Sequence, residues 1–377
     1  NNAGTMMDRN LGATSATPGD VGALGLLYQW GRKDPFLGSS SISSDIEAKS
    51  TGTWPSAVSS NSTNGTIEYA TAYPTTFIKS NESNRDWYYT GSSTTDNTRW
   101  TTSTATKSIY DPCPSGWRVP DGGSNGIWSK ALGSSSDFED ALLYDSTNEG
   151  MNFSGKFGSA STIWYPASGS RSGSVGGLIY VDNYGDYWSA SPYSYSAYSL
   201  SFNYYGGVEP SYSYYRAYGH SVRCVKEGSQ SSGNQPLASS ASDLGTDGTA
   251  NSYIVSKSGT YKFKPVKGNS STSVGSVSSV EVLWESFGTD VTPNVGDLIK
   301  TVNYDAGYVV FATPSSFTRG NAVIAAKDAS GNILWSWHIW LTDQPQGQVY
   351  YNNAGTMMDR NLGATSATPG DVGALGL

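Results

Sequence analysis

The sequence contains few side chains that could carry out metal or redox chemistry: two cysteines, Cys113 and Cys224, and two histidines, His220 and His338. The cysteines lie 111 residues apart, which fits no zinc-binding spacing. Two interpretations remain, a long-range disulfide bond and two buried free thiols. We favour the disulfide bond, which would close a long loop and could stabilise the fold by up to ~4.7 kcal/mol.

The histidines give no further site. His338 falls on one face of a predicted strand with Leu334, Ser336 and Trp340. A single histidine without a second ligand is typical of a hydrogen-bonded sheet residue. We therefore predict no catalytic residue, no metal site and no cofactor.

Tyrosines are concentrated in one segment, because twelve of the 26 lie between Tyr180 and Tyr218. They alternate with serines, which fits a ladder of side chains on a sheet. They also fit a binding surface like an antibody paratope, where Tyr supplies rigid contact area and Ser supplies hydrogen bonds. On this second interpretation Trp188, Leu200, Phe202, Val222 and Val225 anchor the scaffold. The predicted exposed, ligand-binding residues are Tyr193, Tyr195, Tyr198, Tyr204, Tyr205, Tyr212, Tyr214 and Tyr215.

The composition limits the class of partner. Charged residues make up 14% of the chain, against a usual value of roughly 25%, and the net charge is −8. Binding to a phosphate backbone needs clustered Lys and Arg, so nucleic acid is not expected as a partner. The 13% of aromatic residues can supply a substantial core. No apolar run reaches the ~18 residues of a membrane helix, so we expect no membrane span in this fragment.

The two ends of the sequence are identical, because residues 352–377 repeat residues 1–26 letter for letter. One period is therefore 351 residues long. A stretch at 227–236 has no apolar residue and contains Gly, Ser, Asn and Gln, as flexible linkers do. We place a first domain at 1–227, a linker at 228–235, a second domain at 236–347, and the start of the next repeat at 348–377.

The second domain has the pattern of an all-β, Ig-like sandwich. Short apolar segments separated by turn residues predict seven strands in about 110 residues. The segment 327–332 predicts a tight hairpin between the last two. The predicted strands are 253–255, 260–263, 280–284, 298–302, 308–311, 322–326 and 333–340. The first domain is rich in loops, with helix-compatible patterns only at 127–132 and 138–144.

Four blocks of the first domain resemble the Fibrobacter succinogenes major paralogous domain of bacterial surface proteins. The blocks are MDRNLGA at 7–13 with GLLYQWGRKDPF at 25–36, DPCPSGWRVP at 111–120, YWSAS at 187–191, and SVRCV at 221–225. The resemblance implies a mainly β, α+β C-type-lectin-like fold with short helices, in which the N- and C-terminal strands pair. It also implies a bridge from a cysteine near the helical half to one in the last strand, which suits Cys113 and Cys224.

The same resemblance raises two chemical hypotheses that the residues argue against. The related formylglycine-generating enzymes need a reactive cysteine pair near the end of the domain, where this chain has only Cys224. We therefore predict no enzyme activity. Calcium-dependent sugar binding would need several clustered oxygen ligands. The candidates at 182–186 and 209–210 fall short of the motif that sugar-binding C-type lectins use, and we interpret them as turns.

The position of the tyrosine-rich segment just before the last strand also resembles the variable region of proteins diversified by retroelements on C-type-lectin-like scaffolds. We expect an extracellular or cell-surface repeat or filament subunit of a Bacteroidetes-type bacterium, acting as an adhesin. Its partners would be neighbouring copies, in a covalent array or by strand exchange, and a protein or glycan ligand. One alternative is a glycan-binding protein without filaments, using Trp54, Trp87, Trp100, Trp128 and Trp164 as a platform. The other is a purely structural fibre subunit.

Overall fold

The computed structural model describes residues 4–52, 56–80, 85–91, 96–100, 107–133, 136–157, 163–226, 241–342, 344, 347–350 and 355–358. The chain is mainly β with short helices, as the sequence predicts. The predicted linker at 228–235 lies outside the described residues. We call residues up to Lys226 the first unit and residues 241–342 the sandwich.

The first unit combines short helices with many strands. The helices are α1 (Ile67–Ala72), α2 (Ile127–Leu132), the single turn α3 (Ser154–Phe157) and a 3-10 turn at Val21–Ala23. The strands are β1 (Gly4–Met6), β2 (Leu27–Gln29), β3 (Ser56–Ser59), β4 (Thr76–Lys79), β5 (Trp117–Arg118), β6 (Phe138–Glu139), β7 (Tyr144–Asp145), β8 (Gly150–Asn152), β9 (Trp164–Pro166), β10 (Ser170–Arg171), β11 (Leu178–Ile179), β12 (Tyr184–Tyr193), β13 (Ser196–Asn203), β14 (Gly207–Tyr215), β15 (Gly219–Ser221) and β16 (Val225–Lys226).

One of the two predicted helices is present and the other is not. Helix α2 has the predicted bounds and ends at Gly133, whose φ of 72° suits a residue without a side chain. The segment 138–144 forms strand β6, a turn and the start of β7 instead. Phe138 pairs with Val208 of β14, so this segment extends a sheet rather than forming a helix. Leu142, which a helix would bury, is 96% exposed in the turn.

Two sheets organise the first unit. The larger has the strand order β11-β10-β15-β12-β13-β14-β6, with β2 paired to β15. In the smaller, the first strand β1 and the last strand β16 are antiparallel neighbours, with Met6 opposite Val225. The pairing of terminal strands agrees with the expectation from the family resemblance.

The predicted disulfide bond is present, with Cys113 joined to Cys224 and both residues fully buried. It lies in a core where the sequence blocks that carry the family resemblance meet. Backbone and indole hydrogen bonds join these blocks: the amide of Met7 to the carbonyl of Cys224 at 2.8 Å, the indole of Trp188 to the carbonyl of Tyr28 at 2.8 Å, and the amide of Ala190 to the carbonyl of Pro120 at 2.7 Å.

The second unit is a β-sandwich of two four-stranded sheets, ordered β17-β19-β22-β21 and β18-β24-β23-β20. Apolar side chains from both sheets form its core. Its strands are β17 (Ser242–Asp243), β18 (Ser252–Val255), β19 (Thr260–Phe263), β20 (Ser279–Ser286), β21 (Thr301–Asp305), β22 (Tyr308–Ala312), β23 (Gly320–Lys327) and β24 (Ile333–Leu341).

Six of the seven predicted sandwich strands coincide with observed ones, and the hairpin at 327–332 joins β23 to β24. The prediction at 298–302 is displaced, because strand β21 begins only at Thr301. The carboxylate of Glu285 accepts the amide of Ile299 at 2.6 Å, so a side chain takes the place of a strand partner there. The short edge strand β17 was not predicted.

Strand β24 is buried on both faces, and this explains its three tryptophans. Trp335 and Trp337 point into the sandwich core. Ser336, His338 and Trp340 lie on the other face, and Trp340 belongs to the core cluster of the first unit. The sandwich is therefore packed directly against the first unit.

Polar side chains cross this contact in several places, and the residues they meet belong largely to the family-like blocks. The bonds run from Asn321 Nδ2 to Gly12 O at 2.9 Å, from Asn251 Nδ2 to Asp111 O at 2.9 Å, from Ser252 Oγ to Pro112 O at 2.7 Å, and from Lys33 Nζ to Ser336 Oγ at 2.7 Å. The two units consequently share one continuous interior.

Two further strands follow the sandwich, β25 (Gly347–Tyr350) and β26 (Gly355–Met358). They form an antiparallel hairpin in which Val349 lies opposite Thr356. Val349 also pairs with Thr5 of β1, and Thr5 is the residue that Thr356 repeats. Strand β26 lies parallel to β1, with Gly4 opposite Gly355. The repeated sequence therefore forms a strand in both copies.

Candidate functional site

The tyrosine-rich segment forms an antiparallel meander of three strands, β12, β13 and β14. The eight predicted tyrosines are all at least partly accessible, and five are exposed: Tyr193 (51%), Tyr195 (43%), Tyr204 (42%), Tyr205 (70%) and Tyr212 (37%). Tyr198, Tyr214 and Tyr215 are half-buried. The five predicted scaffold residues, from Trp188 to Val225, are buried. The predicted exposure is thus found for five of the eight tyrosines, and the predicted burial for all five scaffold residues.

The eight tyrosines do not form one face, contrary to the simplest expectation. Tyr198 lies opposite Ser213, which alternates along β14 with Tyr212 and Tyr214. Because successive residues of a strand point to opposite faces, Tyr198 and Tyr212 are on different sides of the sheet. Tyr193 and Tyr215 share the side of Tyr198, and Tyr214 shares that of Tyr212. The other three lie in the connecting turns, and we describe the eight residues as two groups of four.

The first group, which we call the hairpin-tip cluster, consists of Tyr193, Tyr195, Tyr198 and Tyr215. Tyr193 and Tyr215 both lie opposite Ser196, and the rings of Tyr193 and Tyr198 are 4.9 Å apart. The hairpin turns at Ser194, whose φ is 47°. The guanidinium of Arg85 lies 4.4 Å from the centre of the Tyr215 ring, so this cluster already contains a cation–π contact.

The second group contains Tyr204, Tyr205, Tyr212 and Tyr214, and three further tyrosines border it. Tyr184 lies on β12 with the same orientation as Asp186, and its ring is 5.4 Å from that of Tyr180. The ring of Tyr218 is 4.7 Å from that of Tyr214. We call these seven tyrosines, with the carboxyl groups of Asp186 and Glu209, the tyrosine–carboxylate face.

A β-bulge places Glu209 on this face. Ser199 lies opposite Tyr212 and Ser201 lies opposite Glu209, so β14 has one residue more than β13 between these pairs. The extra residue comes at Pro210, which has no backbone N–H to donate to the ladder. Because of the bulge, Glu209 and Tyr212 share a face although they are three residues apart.

The two carboxyl groups are in an environment that disfavours negative charge. Burial raises the pKa of Asp186 to about 6, although the hydroxyls of Ser170 and Ser201 donate to its two oxygens at 2.9 and 2.8 Å. The pKa of Glu209 is raised by burial and by the charges of Asp137 and Asp186. The region around these two carboxyl groups is therefore acidic.

A buried polar group lies beneath the rings. Ser170 Oγ is 2.9 Å from His220 Nδ1, and the His220 ring contacts Tyr214 and Tyr218. Burial lowers the pKa of His220 to about 3, so the imidazole is neutral at neutral pH. Ser170 and Asp186 approach the same ring nitrogen, whereas a serine protease-type triad uses both nitrogens. The three residues form a hydrogen-bonded floor.

Two other sequence hypotheses receive different outcomes. Asp182 and Asn183 lie in a turn, as interpreted, whereas Asp186 and Glu209 lie within strands β12 and β14, which corrects the interpretation for those two residues. Among the described residues, no three His, Cys, Asp or Glu side chains are grouped so that they could hold a metal ion. The proposed tryptophan platform is wrong for Trp87, Trp100, Trp128 and Trp164, which are at most 1% exposed. Trp54 lies outside the described residues.

In comparisons with known proteins, no family model, curated protein or solved structure matches this chain. Within the part of the chain that the structure describes, no helix is long and apolar enough to span a bilayer.

The sequence prediction omitted Tyr180, Tyr184 and Tyr218 from the site, although all three lie in the tyrosine-rich segment. Their contacts depend on which strands lie next to β12 in the sheet. That order cannot be read from the sequence. Glu209 was also not predicted beside the tyrosines. The Glu-Pro pair was a usable signal, since Pro within a strand favours a bulge that reorients its neighbours.

Proposed function

We propose that this chain is one period of an extracellular repeat protein that acts as an adhesin. In this proposal the first unit is a C-type-lectin-like domain similar to the Fibrobacter succinogenes major paralogous domain. The disulfide bond, the paired terminal strands and the meeting of the four sequence blocks support that assignment. The observation that carries the function is the division of β12–β14 into exposed tyrosines and a buried scaffold.

Exposed tyrosines at both ends of one meander favour ligand binding over a purely structural role. A tyrosine ladder that only stabilises a sheet would pack its rings against neighbours, yet Tyr205 is 70% exposed. Rigid amphipathic rings in contact with solvent are the typical means by which paratopes gain affinity. Both tyrosine groups are therefore candidate contact surfaces, and a ligand of ordinary size could contact one without the other.

Adhesion of protein-coated beads to candidate cells or glycan arrays tests this function. The double variant Tyr193→Ser with Tyr195→Ser removes the exposed rings of the hairpin-tip cluster. The double variant Tyr204→Ser with Tyr212→Ser removes two rings of the tyrosine–carboxylate face. At least one pair should abolish binding while leaving the folded structure intact. Tyr304→Ser, at an exposed tyrosine of the sandwich, is the matched control. Binding that survives both pairs would refute the proposal and favour a structural fibre subunit.

Diversification by retroelements is part of the same proposal. It predicts that sibling copies differ mainly at the exposed tyrosines, whereas Trp188, Leu200 and Phe202 stay constant because they are buried. Sequencing of related loci provides the test. Substitutions spread evenly over exposed and buried positions would contradict it.

The pairings of β25 support the proposed assembly from repeated copies. Val349 meets Thr5 and its repeat Thr356 in equivalent pairings. An identical strand can thus be supplied by the next repeat of a covalent array or by a separate subunit through strand addition. We favour the covalent array, because MDRNLGA at 358–364 needs a following GLLYQWGRKDPF segment to complete the same core. Only 355–358 of the second copy are described.

The mass of the denatured polymer separates the two forms of assembly. A covalent array boiled in denaturant stays far above the 40.0 kDa of this chain, whereas strand-exchanged subunits are released near that mass. A monomer of that mass before any denaturation would contradict both forms.

Glycan binding without filaments is the second candidate function. The exposed tyrosines could stack on sugar rings, although the four described tryptophans of the first unit's proposed platform are buried. A glycan array that retains signal with monomeric protein would favour it.

A further inference from the structure

The charges around Tyr212 are all of one sign. Burial raises its pKa, and the charged groups that raise it further are Glu209, Asp186 and Asp137, together with Tyr184. Glu209 experiences the same neighbours, because Asp137 and Asp186 both raise its pKa. A cation placed among these carboxyl groups would relieve their mutual repulsion.

The rings above these carboxyl groups have no cation of their own. Within the described residues, no lysine or arginine lies over the ring of Tyr184, Tyr212 or Tyr214. By contrast, the ring of Tyr215 on the opposite side is occupied by Arg85 at 4.4 Å. The negative faces of aromatic rings attract cations, most strongly where water is excluded. The tyrosine–carboxylate face therefore has an aromatic environment for a cation that the protein itself does not fill.

The buried floor of this face also contains polar atoms without hydrogen-bond partners among the described residues. Ser170 donates its only hydroxyl proton to Asp186, so the His220 Nδ1 atom must carry the proton that it shares with Ser170. In the neutral ring the Nε2 atom is then an acceptor, and it has no partner among the described residues. The hydroxyl of Ser199, directly opposite Tyr212, is likewise without a partner there. Both atoms are buried, so a ligand would not bond to them directly, but the unpaired acceptor of His220 adds to the negative character of the region beneath the rings.

From the rings, the carboxyl groups and the partnerless floor atoms together, we infer that the tyrosine–carboxylate face binds a guanidinium or ammonium side chain of a partner protein. This inference rests on the proposed ligand-binding function of the same surface and names the chemistry of its ligand. Arginine is the better match, because its planar fork stacks on aromatic rings and pairs with carboxylates at the same time. A neutral sugar would stack on the rings but would leave the carboxyl groups uncompensated.

Binding of a blocked glycine/serine peptide with two arginines, measured by calorimetry on the full chain, tests the inference. The control peptide carries citrulline at both positions, which keeps the shape and removes the charge. We expect the arginine peptide to bind at least about tenfold more tightly, and its affinity to fall as ionic strength rises. Equal binding of the two peptides, or no binding of either, would overturn the inference.

Variants locate the site. Glu209→Gln and Tyr212→Ser should each weaken binding of the arginine peptide by about tenfold, as expected for a partly desolvated cation–carboxylate or cation–π contact. Asp137→Asn, at an exposed position just before β6, should weaken it by a smaller factor. Glu281→Gln and Tyr304→Ser make the same chemical changes on the sandwich and should have no effect. Full affinity in Glu209→Gln and Asp137→Asn together would overturn the assignment to this face.

The outcome is separable from that of the adhesion experiment. If Tyr204→Ser with Tyr212→Ser abolishes adhesion while the wild-type chain does not bind the arginine peptide, the face binds a ligand of another class and the cationic assignment is wrong. If the peptide binds and adhesion is unaffected by these variants, the cationic site is present and the adhesin proposal fails.

Discussion

Lys33 and Ser336 are 303 residues apart in the sequence, yet Lys33 Nζ donates to Ser336 Oγ at 2.7 Å. The hydroxyl of Ser336 in turn donates to Asp34 at 2.7 Å, and Lys33 and Asp34 form an ion pair at 2.6 Å. A serine of the sandwich thus completes a buried charged pair of the first unit. The sandwich therefore supplies hydrogen-bond partners that buried polar groups of the first unit need.

Removing the lysine should therefore be costly. Lys33→Met leaves the buried carboxylate of Asp34 without its cation, and we expect the free energy of unfolding to fall by about 3–5 kcal/mol. Lys327→Met is the matched control, because Lys327 pairs with Glu281, whose side chain is 46% exposed. An exposed pair contributes about 0–1 kcal/mol. Denaturant unfolding of both variants measures the two losses. Equal losses would show that the buried pair contributes no more to the free energy of unfolding than the exposed pair.

The disulfide bond should contribute strongly to stability, because it closes a loop of 111 residues. The chain-entropy model assigns a loop of this length about 4–5 kcal/mol. The double variant Cys113→Ala with Cys224→Ala should lose about this much in denaturant unfolding. Mass spectrometry of the unreduced wild type should show the linked peptide, and two alkylatable thiols in the native protein would contradict the bond.

Exposed tyrosines and scaffold residues of the same strands should differ in their effect on stability. Tyr205→Ser changes an exposed ring and should alter the free energy of unfolding by about 0.5 kcal/mol or less. Phe202→Ala removes a buried ring three positions earlier and should cost about 3–5 kcal/mol. Thermal or denaturant unfolding measures both, and a large loss in Tyr205→Ser would mean that the ring is structural.

The pH dependence of stability should depend on His338. Burial lowers the pKa of His338 to about 3, whereas an exposed histidine titrates near ~6.5. Between these values the unfolded chain binds a proton that the native protein does not. Stability due to this group is therefore present above about pH 6.5 and is lost as the pH falls towards about 3.

The variant His338→Asn removes one such proton. Over pH 4 to 6 its free energy of unfolding should change with pH less steeply than that of the wild type, by about 1.4 kcal/mol per pH unit. His220, whose pKa burial also lowers to about 3, is retained in both proteins and does not affect the difference. Parallel pH curves for variant and wild type would show that His338 titrates as an exposed histidine.

Local patterns predicted the sandwich and the cysteine bond well. Most sandwich strands follow the alternation of apolar residues and their turn signals, which depend on neighbours in sequence. The cysteines had no alternative partner of their own kind. The helix expected at 138–144 failed because Phe138 pairs with Val208, about seventy residues later in the chain. A pairing at that distance leaves no local signal.

The sequence predicted eight of the tyrosines in the candidate site, but neither Glu209 and the three bordering tyrosines nor the geometry of the site. The exposure of Tyr193 and Tyr205 follows from their positions beside turn residues. The separation of Tyr198 and Tyr212 onto opposite sides of the meander depends on the register between Tyr198 and Ser213, and the position of Glu209 beside Tyr212 depends on the bulge at Pro210. The close contact between the two units depends on buried polar residues such as Lys33 and Asn321, which sequence rules assign to the surface.

The pairing of Met6 with Val225 also determines how the proposed array would respond to tension. Because β1 and β16 are antiparallel neighbours, a pulling force along the chain would break the hydrogen bonds between them one after another. Extension from the C-terminal side would then stop at Cys224 and extension from the N-terminal side at Cys113, since the bond between them withholds the intervening segment, which spans a separation of 111 residues. That segment would otherwise lengthen by up to about 370 Å. The tyrosine meander lies within this segment, so the disulfide bond would shield its strands from the pulling force.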